Sequence, residues 1–335
     1  MTASRVRVVR LIVNRGDLHD TALAGEVGGR VVTDYRSTDV ADDPVRLPGA
    51  WVRTPCTSSL AMSTDGFTLT AARARPTTLV KEIWGSRQLI GVLARKDFFV
   101  RYRRAYLGVL WALAVPLVQA AVFAIVFSGV IGDRVDTQSY AAFLVVGTVG
   151  WSVFAGIIIS CSTSIVDNAA LASKIYFPRA VPVIAGTLTS FYASMLGVGV
   201  AVVMLPLFGA SLGVRNVLVI PALLLAVLLG GGFALVLSAL HVYFRDIRYL
   251  ATAAIQPWFY ATPVLYPIDL VPDAVRPVIV ANPATGVVEL FRAGSVGADP
   301  GWPGMVMVTC AWVVGLAIVA VYLHCRFNRV FCDLL

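Results

Sequence analysis

Residues 107–131 contain no Asp, Glu, Lys or Arg. At a helical rise of about 1.5 Å per residue this run reaches roughly 37 Å, enough to cross a hydrocarbon core of ~30 Å with some tilt. The residues just before it are of the opposite character. Segment 89–104 reads LIGVLARKDFFVRYRR, with aromatic and aliphatic residues interleaved with Arg95, Lys96, Arg101, Arg103 and Arg104. Basic residues beside a span stay on the cytoplasmic side. The first crossing is therefore expected to run outward, and the remaining topology can be counted from it.

Composition supports the same reading. The chain is 58% hydrophobic and only 14% charged, against about 25% charged in a soluble domain, so it is an integral membrane protein by composition. Its net charge of +8 does not point to nucleic acid, because the basic residues cluster beside apolar runs, where they face anionic headgroups. Cys56, Cys161, Cys310, Cys325 and Cys332 have neither metal spacing nor a disulfide pattern.

The expected architecture is all-α and membrane-embedded, with six transmembrane helices near 107–131, 140–164, 181–207, 217–240, 250–265 and 302–323. Segment 1–80 has Gly28-Gly29, Asp42-Asp43-Pro44 and a Ser/Thr-rich patch. It reads as a flexible cytoplasmic tail before a transmembrane domain at 81–335. Residues 5–13 alternate weakly, no apolar signal segment follows them, and Met62 is an alternative start. Residues 89–104 are expected to form an amphipathic helix lying in the cytoplasmic interface. Gly230-Gly231-Gly232 in the fourth span marks a close backbone approach. The fifth span is short and carries Pro257 and Pro263. Between it and the sixth, the apolar pieces around 279–283 and 287–291 are too short to cross and read as re-entrant half-helices. Lys174, Arg179, Arg245, Arg248, Arg326 and Arg329 fall at alternate ends, which places both termini in the cytoplasm; Arg134 and Arg215 are the exceptions.

Two absences narrow the function. The first four spans contain no ionisable carboxylate or base, only Gln119, whereas an ion-coupled carrier needs buried charge. Glu289 is an exception further on and reads as a structural cap of a half-helix. No Gly-rich loop precedes Lys81, Lys96 or Lys174, so the chain has no phosphate-cradling motif of its own. Uphill transport would need energy from another polypeptide.

Several segments together resemble one family. They are Lys96-Asp97-Phe98 with Arg101-Tyr102-Arg103, Leu107 to Ala112 with Pro116-Leu117, Asn168 to Leu171, Lys174 to Arg179, and Tyr243 to Tyr249. Thr262 to Pro267, Asn282 to Gly286 and Glu289 to Arg292 complete the set. In that order they are similar to the ABC-2 type permeases that export polysaccharides such as O-antigen, teichoic acid and galactan. The resemblance covers 87–335 and leaves out the first 80 residues. It implies a homodimer in the bacterial plasma membrane, with two ATPase subunits beneath that hold ATP and Mg. It implies no cofactor in this chain, no catalysis by it, and a polyprenyl-pyrophosphate-linked polysaccharide as cargo.

By the same resemblance, Asp167, Asn168, Leu171, Lys174, Tyr176 and Phe177 look like the segment that couples to the ATPase. Arg95, Lys96, Arg101, Arg103 and Arg104 look like the interface helix that meets a lipid pyrophosphate; guanidinium forks suit phosphate oxygens, and binding of anionic membrane lipid is the alternative. Trp151, Trp258 and Tyr260 are the expected channel aromatics, since sugar rings stack their CH faces on aromatic rings. An ABC-2 permease for lipid or drug efflux is the nearest alternative. A polyprenyl-dependent membrane glycosyltransferase is another, although Asp133, Asp136, Asp269 and Asp273 form no catalytic grouping.

Overall fold

The computed structural model describes residues 8–15, 18–27, 30–34, 62–63, 66–68, 76–103, 111–131, 140–172, 177–208, 210, 212–297 and 300–327. Two compact units divide the chain at Ala74 and Arg75. The first holds five antiparallel strands, β1 (Val8–Arg15), β2 (Leu18–Val27), β3 (Arg30–Asp34), β4 (Met62–Ser63) and β5 (Gly66–Thr68), in the order β1-β2-β3-β5-β4. Val8 pairs with Gly25, Arg15 with Leu18, and Val27 with Arg30. These strands lie in segment 1–80, expected from the sequence as a flexible cytoplasmic tail. The weak alternation in 5–13 has the period of a strand.

Among its described residues the second unit is helical. Helices α1 (Pro76–Gly85) and α2 (Arg87–Tyr102) precede α3 (Trp111–Ile131) and α4 (Tyr140–Cys161). Two short helices, α5 (Ser164–Asp167) and α6 (Ala169–Ala172), lead to α7 (Val181–Met204) and α8 (Val219–His241). Helix α9 (Ile247–Ala261) is followed by the short α10 (Arg276–Ala281) and α11 (Pro283–Ala293), and then by α12 (Trp302–Phe327).

Four of these segments are long and apolar enough to cross a membrane: Tyr140–Cys161, Val181–Phe208, Val214–His241 and Trp302–Arg326. Helix α3 has 21 residues, a spanning length, with side chains described from 114 to 126. Helix α9 covers most of the expected short, Pro-broken fifth span. Its 15 residues reach about 22 Å, short of a ~30 Å core. Pro263 explains the stop, because it drives the preceding residue out of the helical region, and Thr262 is extended at φ −97°, ψ 139°.

Helix α4 is the central element. Of its most apolar 18-residue window 83% is buried, against 17% for α12, so α4 sits inside the bundle and α12 on its surface. Phe154 and Ile157 are fully buried. The three successive glycines of α8 confirm the expected close approach. A Cβ at Gly230 would lie 3.1 Å from Ile157 of α4, one at Gly231 3.0 Å from Thr187 of α7, and one at Gly232 3.1 Å from Leu316 of α12. Small residues let three neighbours approach one helix at the same level.

Candidate functional site: two ends of a helical membrane bundle

The first end is built by α2, the start of α7 and the short helices between α4 and α7. Ile90, Leu93 and Ala94 recur at helical spacing on α2 and bury against Phe177, Val181 and Ala185. Leu171 packs half-buried on the same cluster. The Thr189 hydroxyl of α7 donates to the Ala94 carbonyl at 3.1 Å. Val92, Phe99 and Val100 face outward, as do Arg95, Lys96, Arg101 and Arg103. Arg95 stands 5.8 Å from the Phe99 ring centroid, and Lys96 pairs with Asp97 at 3.6 Å. An outward face with both apolar bulk and guanidinium heads suits an interface between lipid and water.

Asp167 is exposed at the end of α5 and accepts a hydrogen bond from the Thr163 hydroxyl at 2.6 Å. The Asn168 side chain donates to the Ser164 carbonyl at 2.9 Å. These local bonds close the end of α4 into a tight corner and leave the Asp167 carboxylate outward. Phe177 is 4% exposed, so it anchors the corner to α2 and offers no free surface. Arg104, Lys174 and Tyr176 lie outside the described residues.

Aromatic rings fill the interior between α4, α8 and α9. Trp258 stands edge-on to Phe154 at 5.2 Å and to Phe233 at 5.3 Å, and Trp151 meets Trp258 at 6.2 Å. Such edge-to-face pairs stabilise by ring electrostatics beyond the area they bury. Trp151 is 6% exposed and Tyr260 is 55% exposed. Within the protomer Trp151 therefore serves packing, and of the three expected channel aromatics Tyr260 alone is broadly exposed.

The second end is a polar network around α11, and its connections were not read from the sequence. Asn282 caps the helix by accepting from Ala284 N at 3.1 Å. The same carboxamide oxygen accepts from Trp258 Nε1 at 2.9 Å, and its nitrogen donates to Thr262 Oγ1 at 2.9 Å. Asn before Pro283 is a helix-start signature, but nothing in it announces Trp258 as a partner. Every residue of α11 is buried. A Cβ at Gly286 would collide with Thr309 Oγ1 and the Met305 carbonyl, so only glycine allows this contact with α12.

Glu289 is not a helix cap. It lies within α11 and receives Arg292 Nη1 at 2.6 Å, with side-chain exposures of 2% and 1%. Arg292 Nη2 donates to the Val264 carbonyl at 2.8 Å, and its guanidinium lies 3.6 Å from the Phe143 ring centroid. Tyr140 donates its hydroxyl to the Leu265 carbonyl at 2.8 Å. Tyr266 donates to the Tyr260 carbonyl at 3.1 Å. Among the described residues no group of three or more His, Cys, Asp or Glu stands together to hold a metal.

The fold and these two ends describe a helical membrane protein whose polar groups serve positioning, with no assembled catalytic constellation among the described residues. The sequence matches the ABC-2 type transporter family over residues 88–295; the chain belongs to this membrane family and is a transport subunit, not an enzyme. It is 30% identical over 216 residues to an O-antigen export system permease protein RfbA of Klebsiella pneumoniae, covering 63% of this chain and 83% of the relative. A second permease of the same name and organism is 28% identical over 237 residues, covering 69% of this chain and 90% of the relative. A Myxococcus xanthus permease of that name is 29% identical over 223 residues, covering 64% and 83%.

Proposed function

We propose that this chain is the permease subunit of an ABC transporter that exports a polyprenyl-pyrophosphate-linked polysaccharide across the bacterial plasma membrane, driven by a separate ATPase. The observation that carries the reading is its likeness to permeases named for O-antigen export, over more than four-fifths of their length. The permease works as a homodimer with six crossings per copy and both termini in the cytoplasm. The fifth crossing is completed by the extended turn after α9 together with α10 and α11.

Asp167, Asn168 and Leu171, with Lys174 and Tyr176, meet the ATPase, and Phe177 anchors this segment to α2 from within. The contact between Phe177 and α2 supports this role, because a push on the corner is passed to α2 and α7 through packed side chains. Arg101 and Arg103, with Arg104 beside them, meet the pyrophosphate of the incoming lipid, while Arg95 and Lys96 hold α2 to anionic headgroups. Tyr260 stacks on the sugar, backed by the Trp258 and Trp151 cluster.

Depletion in the native host tests the reading. Lipid-linked polymer should accumulate inside and surface glycan should fall, and co-expression with the neighbouring ATPase should restore export only when both chains are present. Normal glycan export after depletion would refute it, and an accumulated lipid or drug would assign the chain to the efflux branch. Replacing 171–177 with Gly-Ser should abolish co-purification of the ATPase.

A further inference from the structure

The turn after α9 is attached to the bundle in an unusual way. Among the described residues, the backbone hydrogen bonds of 262–267 run only to α9 or to nearby turn residues, as in Thr262 N to Trp258 O and Val264 N to Thr262 O. Its ties to α4 and α11 are made by side chains. Arg292 of α11 holds the Val264 carbonyl, Tyr140 of α4 holds the Leu265 carbonyl, and Asn282 holds Thr262 and the Ala261 carbonyl. This turn is joined to α4 and α11 by side chains and not by a backbone ladder, so it can part from α4 without breaking a helix, at the cost of uncovering the buried Thr262, Val264 and Leu265.

Arg292 is the strongest of these ties. It is charged, 1% exposed and paired with Glu289, so its bond to Val264 is a charge-assisted one in a dry setting. Gly147 of α4 makes room for it: a Cβ there would lie 3.0 Å from both Arg292 Nη2 and the Val264 carbonyl. The closed arrangement is also incomplete, because the buried Arg292 Nε has no acceptor. A buried N–H left unpaired raises the energy of the state that contains it. Buried ion pairs seldom add stability over apolar packing, and their best-attested use is to specify one of two arrangements.

We propose that Arg292, held in place by Glu289, is a latch on the 262–266 turn. It fixes Val264 against α4 in this state, and transport requires that the bond be released and remade. Arg292 is a positioning residue that acts on the path through the turn. The requirement for release rests on the export reading, whereas the latch itself does not.

Two measurements on the full chain in native membranes, with its ATPase, test the proposal. In the first, Leu265→Cys, 7% exposed in its native form, is labelled with a maleimide and read by mass spectrometry at the peptide containing residue 265. Adding Arg292→Lys keeps the charge beside Glu289 but removes the fork that serves two acceptors. Labelling should then rise about tenfold or more, the effect of one lost charged hydrogen bond. An unchanged rate overturns the latch. If the Lys variant does not accumulate, Glu289→Gln weakens the pairing that holds Arg292 in place and should raise labelling about threefold; no rise there also overturns it.

In the second, labelling of Leu265→Cys with Arg292 intact is compared with and without ATP supplied to the ATPase. Labelling should rise several-fold when ATP drives the cycle. Equal labelling in both states overturns the need for release. Absence of glycan export by the unsubstituted chain counts against the export reading, and the first labelling result still decides the latch.

Discussion

The two ends of the bundle are held together by different physics. At the α2 end, six buried apolar residues form a small satellite cluster, and a hydroxyl-to-carbonyl bond from Thr189 ties α7 to α2 across it. At the α11 end, Asn282, Thr285, Glu289, Arg292 and Thr309 each satisfy a specific buried acceptor or donor. Apolar contacts are non-directional and tolerate sliding, whereas a buried polar network has one satisfied geometry and is costly when half made. The α2 end can shift by small increments under a push, while the α11 end should hold or let go. That difference suits a part that receives a mechanical stroke and a part that answers with a discrete change.

The comparison breaks first at Glu289. Glu289→Leu leaves Arg292 as an uncompensated buried charge and should destabilise the protein by about 3–5 kcal/mol, read as loss of monodisperse protein on heating in detergent. The double variant Glu289→Leu/Arg292→Met should recover roughly half of that loss, because the charge is gone while the Val264 carbonyl stays unsatisfied. If the single and double variants lose equally, the network is not what holds this end. Asn282→Ala comes next. It removes a helix cap and the acceptor of Trp258 Nε1, and should cost about 1–3 kcal/mol, with Trp258 fluorescence shifting as its indole loses its partner.

How much of this was legible in the sequence follows the same division. The spans at 140–164, 181–207, 217–240 and 302–323 were readable because lipid demands long uncharged helices, and the four long segments lie there within a few residues. Segment 89–104 was readable as an amphipathic helix, though not the burial of Ile90, Leu93 and Ala94 against Phe177. The α11 network was not readable, since Asn282 and Trp258 are 24 residues apart and Arg292 and Val264 are 28 apart; spacing reports neighbours on one helix, not contacts made by tertiary folding. Trp151 shows the reverse limit. Its residue type fits a sugar platform, but its burial depends on neighbours that one sequence does not locate.

The α2 end should respond weakly to loss of its polar atom. Thr189→Val keeps the shape and removes the bond to Ala94 O, and should cost about 1 kcal/mol. A loss as large as that of Glu289→Leu would erase the distinction between the two ends.

Smaller still is the stability effect of Arg101→Gln with Arg103→Gln, expected within about 0.5 kcal/mol because both side chains are exposed. Function should separate from stability at this pair. Removing two guanidinium groups lowers attraction to an anionic surface by about 1 kcal/mol for each charge near it, so flotation with anionic-lipid vesicles of a peptide covering 76–103 should weaken and become less sensitive to salt. Substitution to Lys preserves charge but not the fork. If Lys restores vesicle binding but not export, the two arginines recognise a phosphate on the cargo; if Lys restores both, they serve only to hold α2 on the membrane.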